Sequence, residues 1–334
     1  MFTKGCRVII LFFLFLTLNP FPALCAGQKL CKVLVVMSYH ESISWESGVR
    51  DGIEAALGET CEIRYRYLDT KYNFDRAAER AVEAYRFYQE YQPDGVLAVD
   101  DDAQSFFVVP YLKNKVETPV VFCGVNAEPE KYGYPASNVT GVLERAHFRE
   151  SIAFLRQLVP TVHNICYLIA DNPTGRSYYR QLTREAVTYP LKPAAIRMVT
   201  SLEQAKSVSR QLVKTCDSLF LITLEGLKDA AGVPLSEKDI FPVLVKSFNK
   251  PVIGVNAFSI RFGLLCAVVK SSREQGSMAA RMLLAAMQGT SLSSLPITRN
   301  SDGKRMINVT VMKEMGIKAR PVVLRGAELV TTIE

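Results

Sequence analysis

The chain has 334 residues, 49% of them apolar and 22% charged, with a formal net charge of +7. That balance excludes a disordered chain, and the length has room for two domains of about 150 residues each. The lysines and arginines are scattered singly or in pairs, which argues against a nucleic-acid surface, and His40, His147 and His163 lie too far apart for metal-ligand spacing.

Residues 1–26 come first. Lys4 and Arg7 precede an apolar run from Val8 to Leu18, which ends at Asn19 and Pro20; Leu24, Cys25 and Ala26 then lead to Gly27. This order of charge, apolar core and small-residue site predicts a secretory signal peptide at 1–26, cleaved to release the chain into the periplasm. The apolar run is well short of the roughly 20 residues a spanning helix needs, and no later run approaches that length. Lipid attachment at Cys25 is the rival, but Leu24 stands where lipoprotein signals want a small residue.

Short apolar runs then alternate with helical patterns. Lys32–Met37 reads as a buried strand, Ser47–Leu57 as a helix, Glu62–Leu68 as a strand, and Asp75–Tyr91 as a long helix stopped by Pro93-Asp94-Gly95. Gly95–Val99 is a strand, Ala103–Leu112 a helix and Pro119–Gly124 a strand. The alternation restarts with helix 148–158, strand 165–170, helix 176–187, strand 195–199, helix 202–213, strand 219–223, helix 239–247 and strand 251–255. Strand 264–269 and helix 272–287 close it. Such alternation implies parallel sheets covered by helices on both faces. The fold class expected is α/β, with two doubly wound parallel-sheet lobes.

Cys31 and Cys61 each open a strand, and the two strands should be neighbours, so Cys31–Cys61 is the candidate disulfide in a periplasm, with two unpaired thiols as the alternative. Cys123, Cys166, Cys216 and Cys266 read as small buried apolar side chains.

Open parallel sheets bind ligands beyond the carboxyl ends of their strands, and two facing lobes place that site in the cleft between them. The residues there are Ser38 and Tyr39, then Asp100–Asp102, then Gly124 and Asn126; in the second half they are Asn172 and Thr174, Glu225, and Asn256 with Phe258. The alternative for each is a turn or helix cap. Asp101 and Asp102 could hold a ligand ammonium or hydroxyl, or cap the helix that follows; their spacing is not that of a calcium loop. Ser38 and Ser177 face helix starts, where backbone N–H groups attract a carboxylate. Trp45 could stack on a flat ligand or sit in the core. No Gly-x-Ser-x-Gly elbow, Walker loop or Gly-x-Gly-x-x-Gly occurs, and His40 is the sole histidine at a strand end. These features predict neither an enzyme nor a cofactor or metal site.

At these residues the chain resembles a known family. Residues 118–126 (TPVVFCGVN), 138–142 (NVTGV), 172–177 (NPTGRS), 251–258 (PVIGVNAF), 263–268 (GLLCAV), 274–276 (EQG) and 307–317 (INVTVMKEMGI) look like the ABC-transporter substrate-binding proteins of the tryptophan/tyrosine-binding type, with the type I periplasmic binding fold. The resemblance covers about residues 32–320 and implies a small-molecule ligand, an amino acid or similar metabolite, and an ABC permease as partner. It also implies discontinuous lobes: 28–141 plus 271–292, and 142–270 plus 293–334. Gly141, Phe258–Gly263 and Lys270–Ser271 are then the hinge candidates, and the protein is expected to act as a monomer. Ser38-Tyr39-His40 with Trp45, residues 67–71 (YLDTK) and Asp101-Asp102-Ala103 look more like the variant of this fold that serves as the sensor module of some histidine kinases and diguanylate cyclases. That variant would make the chain a ligand sensor reporting to such a membrane protein.

Overall fold

The computed structural model describes residues 31–333; the expected signal peptide at 1–26 and the lipid-attachment alternative at Cys25 lie outside them. The first half runs β1 (Cys31–Met37), α1 (Ser44–Leu57), β2 (Cys61–Tyr67), α2 (Ala77–Tyr91), β3 (Gly95–Val99), α3 (Asp100–Ala103), β4 (Val120–Val125) and β5 (Val139–Leu143). The second half runs α4 (Phe148–Leu158), β6 (Ile165–Ala170), α5 (Pro173–Glu185), β7 (Pro193–Val199), α6 (Leu202–Leu212), β8 (Ser218–Leu221), α7 (Glu237–Phe248), β9 (Val252–Ile253), α8 (Ala257–Arg261) and β10 (Cys266–Lys270). Then come α9 (Ser272–Met287), β11 (Thr298–Arg299), β12 (Gly303–Asn308) and β13 (Glu328–Val330).

Two lobes result, each a parallel sheet between helices. The first holds a six-stranded sheet in the order β11-β5-β4-β3-β1-β2. Its central strands are apolar on both faces because both faces are covered: Val33, Leu34, Val35, Val36 and Met37 of β1 are all buried. One face packs on α1 and α9 and the other on α2 and residues 104–112. Helix α9 comes late in the chain yet belongs here, pressed against α1. A Cβ at Gly52 would lie 2.1 Å from the Arg273 carbonyl oxygen, and one at Gly276 2.1 Å from that of Val49, so glycine is what lets these backbones meet.

The second lobe holds a parallel sheet in the order β7-β6-β8-β9. Its core gathers Phe148, Tyr167, Phe220, Phe241 and Phe248 on the two faces. A smaller sheet, β10-β12-β13, continues this lobe; β10 runs antiparallel to β12. The antiparallel pair departs from the all-parallel expectation. β12 (GKRMIN) hides in the sequence because half of it is polar.

The chain crosses between lobes after β5, after β10 and after β11. Thr298 and Arg299 pair in parallel with Val142 and Leu143, so the first sheet extends through 142–143 and takes in 298–299. The short strand covers an edge that β5 would otherwise leave open. Gly141 lies inside β5 and Phe258–Gly263 lies in and just after α8, away from the crossings, whereas Lys270 and Ser271 sit on one.

Cys31 and Cys61 are register partners on adjacent strands and are disulfide-bonded, with Cα atoms 4.3 Å apart. Cys166 and Cys216 form a second disulfide, with Cα atoms 6.0 Å apart, which corrects their reading as free apolar side chains. Cys123 and Cys266 are free and buried. The helix expected at 103–112 starts at Asp100 and becomes π-helical from Gln104 to Leu112. Pro110 lies in that stretch and has no N–H to give to the ladder.

Candidate functional site

The carboxyl ends of β1, β3, β4 and β5 meet the amino end of α5 in a cleft of about 620 Å³. The first lobe lines it with Tyr39, Asp101, Asp102, Asn126, Ala127, Lys131 and Glu144. The second lines it with Thr174, Arg176, Ser177, Tyr178 and Arg180.

The first wall is a braced structure. Asp101 accepts hydrogen bonds from the Asn126 N–H (2.9 Å), the Ala127 N–H (3.2 Å) and the Tyr132 hydroxyl (2.6 Å). One carboxylate thereby ties the end of β3 to the loop after β4. Asp102 accepts from the Thr70 hydroxyl at 2.6 Å, tying in the end of β2. The Ser38 hydroxyl donates to the Val99 carbonyl (2.6 Å) and accepts the Ala103 N–H (2.8 Å). Ser38 is fully buried, so it is a strut under the wall and offers the cleft nothing. Gly124 is also structural: its φ is +73°, and a Cβ there would meet Asp100 Oδ1 at 2.4 Å.

Tyr39 stands on this wall with the Lys71 ammonium 5.0 Å above its ring. Its hydroxyl is held far above the usual tyrosine range, first by the charge of Asp100 and then by burial, so it is a neutral phenol that can donate. At the crossing, Lys270 is ion-paired with Glu144 and its ammonium lies 2.9 Å from the Tyr178 hydroxyl. Burial opposes the Lys270 charge, but Glu144 and Tyr178 outweigh it and its pKa is raised.

The second wall is built from the first turns of α5. The Asn172 side chain accepts the Gly175 N–H at 2.7 Å, capping the helix, and donates to the Glu225 carbonyl at 3.2 Å. That cap fixes the direction in which Thr174, Arg176, Ser177 and Arg180 point. Arg176 is paired with Asp171. Contacts already span the two walls: Ser177 donates to the Asn126 carbonyl at 3.1 Å, and Arg184 meets Glu128 at 3.0 Å.

The sequence candidates thus separate. Tyr39, Asp101, Asp102, Asn126, Thr174 and Ser177 converge on the cleft. Ser38, Gly124 and Asn172 support it from behind. Glu225 accepts the Glu237 N–H at the start of α7. Trp45 packs into the first lobe's core, 5.9 Å from the Lys270 ammonium. Asn256 precedes α8, and the Phe258 ring packs on Phe262; neither lines the cleft. Sequence reasoning did not place Glu144, Arg176, Tyr178, Arg180 and Lys131 on the cleft. Thr174, Ser177, Tyr178 and Arg180 recur at helical spacing from the Asn172 cap, a signal open to a helix reading. Lys131 and Glu144 carry no such mark. Among the described residues no cluster has metal-binding geometry, and no helix is long and apolar enough to cross a membrane.

Residues 33–331 match the family model described as ABC transporter substrate binding protein. No curated protein sequence matches the chain. In fold it is similar to a ligand-free, open substrate-binding protein with adhesive properties from Clostridium difficile, at 16% identity over 91% of this chain and 100% of that one, with a TM-score of 0.72. It is also similar to the ABC domain from Streptococcus pneumonia in complex with L-Trp, at 18% identity over 90% and 100% of the two chains, with a TM-score of 0.58. An arabinose-binding protein from Geobacillus stearothermophilus shares the fold at 12% identity over 85% and 99%, with a TM-score of 0.57.

Proposed function

The chain belongs to the ABC transporter substrate-binding protein family, and from there we propose that it captures a zwitterionic solute, an amino acid or similar metabolite, in the inter-lobe cleft and delivers it to an ABC permease. The division of charge across the cleft carries this reading. The first wall offers three carboxylates and a phenol (Asp101, Asp102, Glu144, Tyr39) against one lysine, Lys131, and the second offers guanidinium groups and hydroxyls (Arg176, Arg180, Thr174, Ser177) with no carboxylate in its lining. The amino end of α5 adds its own preference for an anion. A ligand with its ammonium toward the first lobe and its carboxylate toward α5 satisfies both walls.

Tyr39 and Tyr178 add flat aromatic surface, and about 620 Å³ suits a ligand with an aromatic side chain. The L-Trp bound by the Streptococcus pneumonia neighbour supports that class. The arabinose-binding neighbour shares the fold, so the fold alone does not choose the ligand; the charged walls argue for a zwitterion over a sugar. Closure would turn on the three crossings and tighten the Ser177–Asn126 and Arg184–Glu128 contacts. In this reading the protein works in the periplasm as a monomer, after loss of residues 1–26.

Native mass spectrometry of the protein as purified, followed by thermal melting with amino acids and sugars, tests it. A bound amino acid is expected to raise the melting temperature, with about 2.7 kcal/mol of stabilisation at a hundredfold excess over Kd. Stabilisation by sugars alone, or by no amino acid, overturns it.

A further inference from the structure

Ser177, Gln181, Arg184 and Glu185 recur at helical spacing and share one face of α5. Each bonds to the first lobe or to a crossing. Ser177 donates to the Asn126 carbonyl at 3.1 Å. Gln181 donates to the Ala146 carbonyl at 2.8 Å and accepts the Ala146 N–H at 3.1 Å, which ties the helix to the crossing after β5. Arg184 meets Glu128 at 3.0 Å, and Glu185 meets Arg299 at 2.6 Å.

The last two contacts are reciprocal. Arg184 of the second lobe takes its partner from the loop after β4 of the first. The next residue, Glu185, has the opposite sign and takes its partner from β11 of the first sheet. Both carboxylates are positioned by other groups. Glu128 also pairs with Arg145 at 3.4 Å, and that guanidinium is itself held by the carbonyls of Val125, Asn126 and Glu144. Glu185 accepts from Gln181 and from the Tyr189 hydroxyl. Each lobe thus offers a fixed carboxylate to a long arginine of the other, and the crossed signs favour one register of approach. Arg184 and Arg299 remain 63% and 57% exposed, against 22% and 21% for their partners. A cavity of about 160 Å³ lies beside Glu185 and Arg299, lined apart from Ala146 by polar and charged residues. Charged tips, rather than packed apolar side chains, therefore join the lobes there, and the contact can open. None of the four residues lines the cleft.

We propose that Glu128–Arg184 and Glu185–Arg299 form a clasp that favours the closed arrangement of the lobes, so that these four positioning residues raise the affinity of the cleft without touching the solute. Only the effect on capture rests on the cleft reading; the effect on the lobes does not. Apparent affinity scales with the fraction of molecules in the binding-competent arrangement, and an exposed ion pair shifts such a balance by roughly fivefold at most. Salt should open the lobes even with no solute added, because exposed charges are screened.

Two measurements on the full chain decide it. Small-angle X-ray scattering without added solute, at ~0.02 M and ~1 M sodium chloride, reads the lobe arrangement directly. The wild type should expand as salt rises. Arg184→Gln combined with Arg299→Gln should be expanded at low salt and insensitive to more. Arg184→Lys combined with Arg299→Lys keeps both charges and should restore the wild-type response. Equal radii of gyration for the wild type and the glutamine variant at low salt overturn the clasp. Calorimetric titration with L-tryptophan should show binding about fivefold weaker in the glutamine variant and recovered in the lysine variant. Equal affinities overturn the coupling to capture and leave the cleft reading intact. If neither L-tryptophan nor any other amino acid binds, the cleft reading falls, and the scattering alone decides the clasp.

Discussion

The two walls of the cleft are made in different ways. In the first lobe, polar side chains at the strand ends are largely spent on one another: Asp101 holds two backbone amides and a phenol, Asp102 holds Thr70, and Ser38 bridges β3 and α3. In the second lobe, one capped helix presents its first turns, and Arg180 stays exposed. The first wall is therefore preorganised, and its shape is part of the lobe's stability. The second is adjustable, because long side chains on a helix can reorient without disturbing the fold. Changes in the first lobe should appear in stability and affinity together, and changes in α5 in affinity alone.

The largest effect should come where the walls meet. Lys270→Met leaves Glu144 buried without its cation, and breaking such a pair costs about 3–5 kcal/mol. Urea unfolding at pH 8 should show that loss. A loss under about 1 kcal/mol would mean that solvent reaches the pair and that the crossing is not part of the first wall's bracing.

Next is Asp101→Ala, which strands the amides of Asn126 and Ala127 and the hydroxyl of Tyr132. Hydrogen bonds to charged groups are worth about 1.5–3 kcal/mol, and a drop of that size in unfolding free energy is expected beside weaker binding. Unchanged stability with weaker binding would reduce Asp101 to a ligand contact and erase the distinction between the walls.

The same contrast explains what could be seen in the sequence. The alternation of buried strands and amphipathic helices is a local pattern, and it placed β1, β3, β6 and α9 within a residue or two. The polar strand ends were visible for the same reason. Which of them line the cleft depends on what each side chain bonds to, and that is not local. Ser38 and Asp101 look equivalent along the chain, yet one is sealed beneath the wall and the other lines it. Cys31 and Cys61 sit at matching ends of consecutive strands, so their adjacency could be anticipated. Cys166 in β6 is joined to Cys216 in the turn that leads into β8, and the adjacency of those two strands depends on the order β7-β6-β8. Glu46 looks like an acid in a helix's first turn, where one is ordinary. Only tertiary packing, which buries it almost completely, makes it unusual.

The smallest effect tests the comparison most directly. Arg180→Ala removes an exposed guanidinium from the second wall without taking an ion-pair partner from any described residue. Stability should stay within about 0.5 kcal/mol of wild type. Affinity for an amino-acid ligand should fall by roughly tenfold, about 1.4 kcal/mol, through faster dissociation. Raised salt should shrink the difference, because an exposed charge is screened. If Arg180→Ala instead destabilises the fold as Asp101→Ala is expected to, α5 is as rigidly built into its lobe as the first wall is. The proposed closure would then have to come from the crossings alone, with both walls moving as fixed bodies.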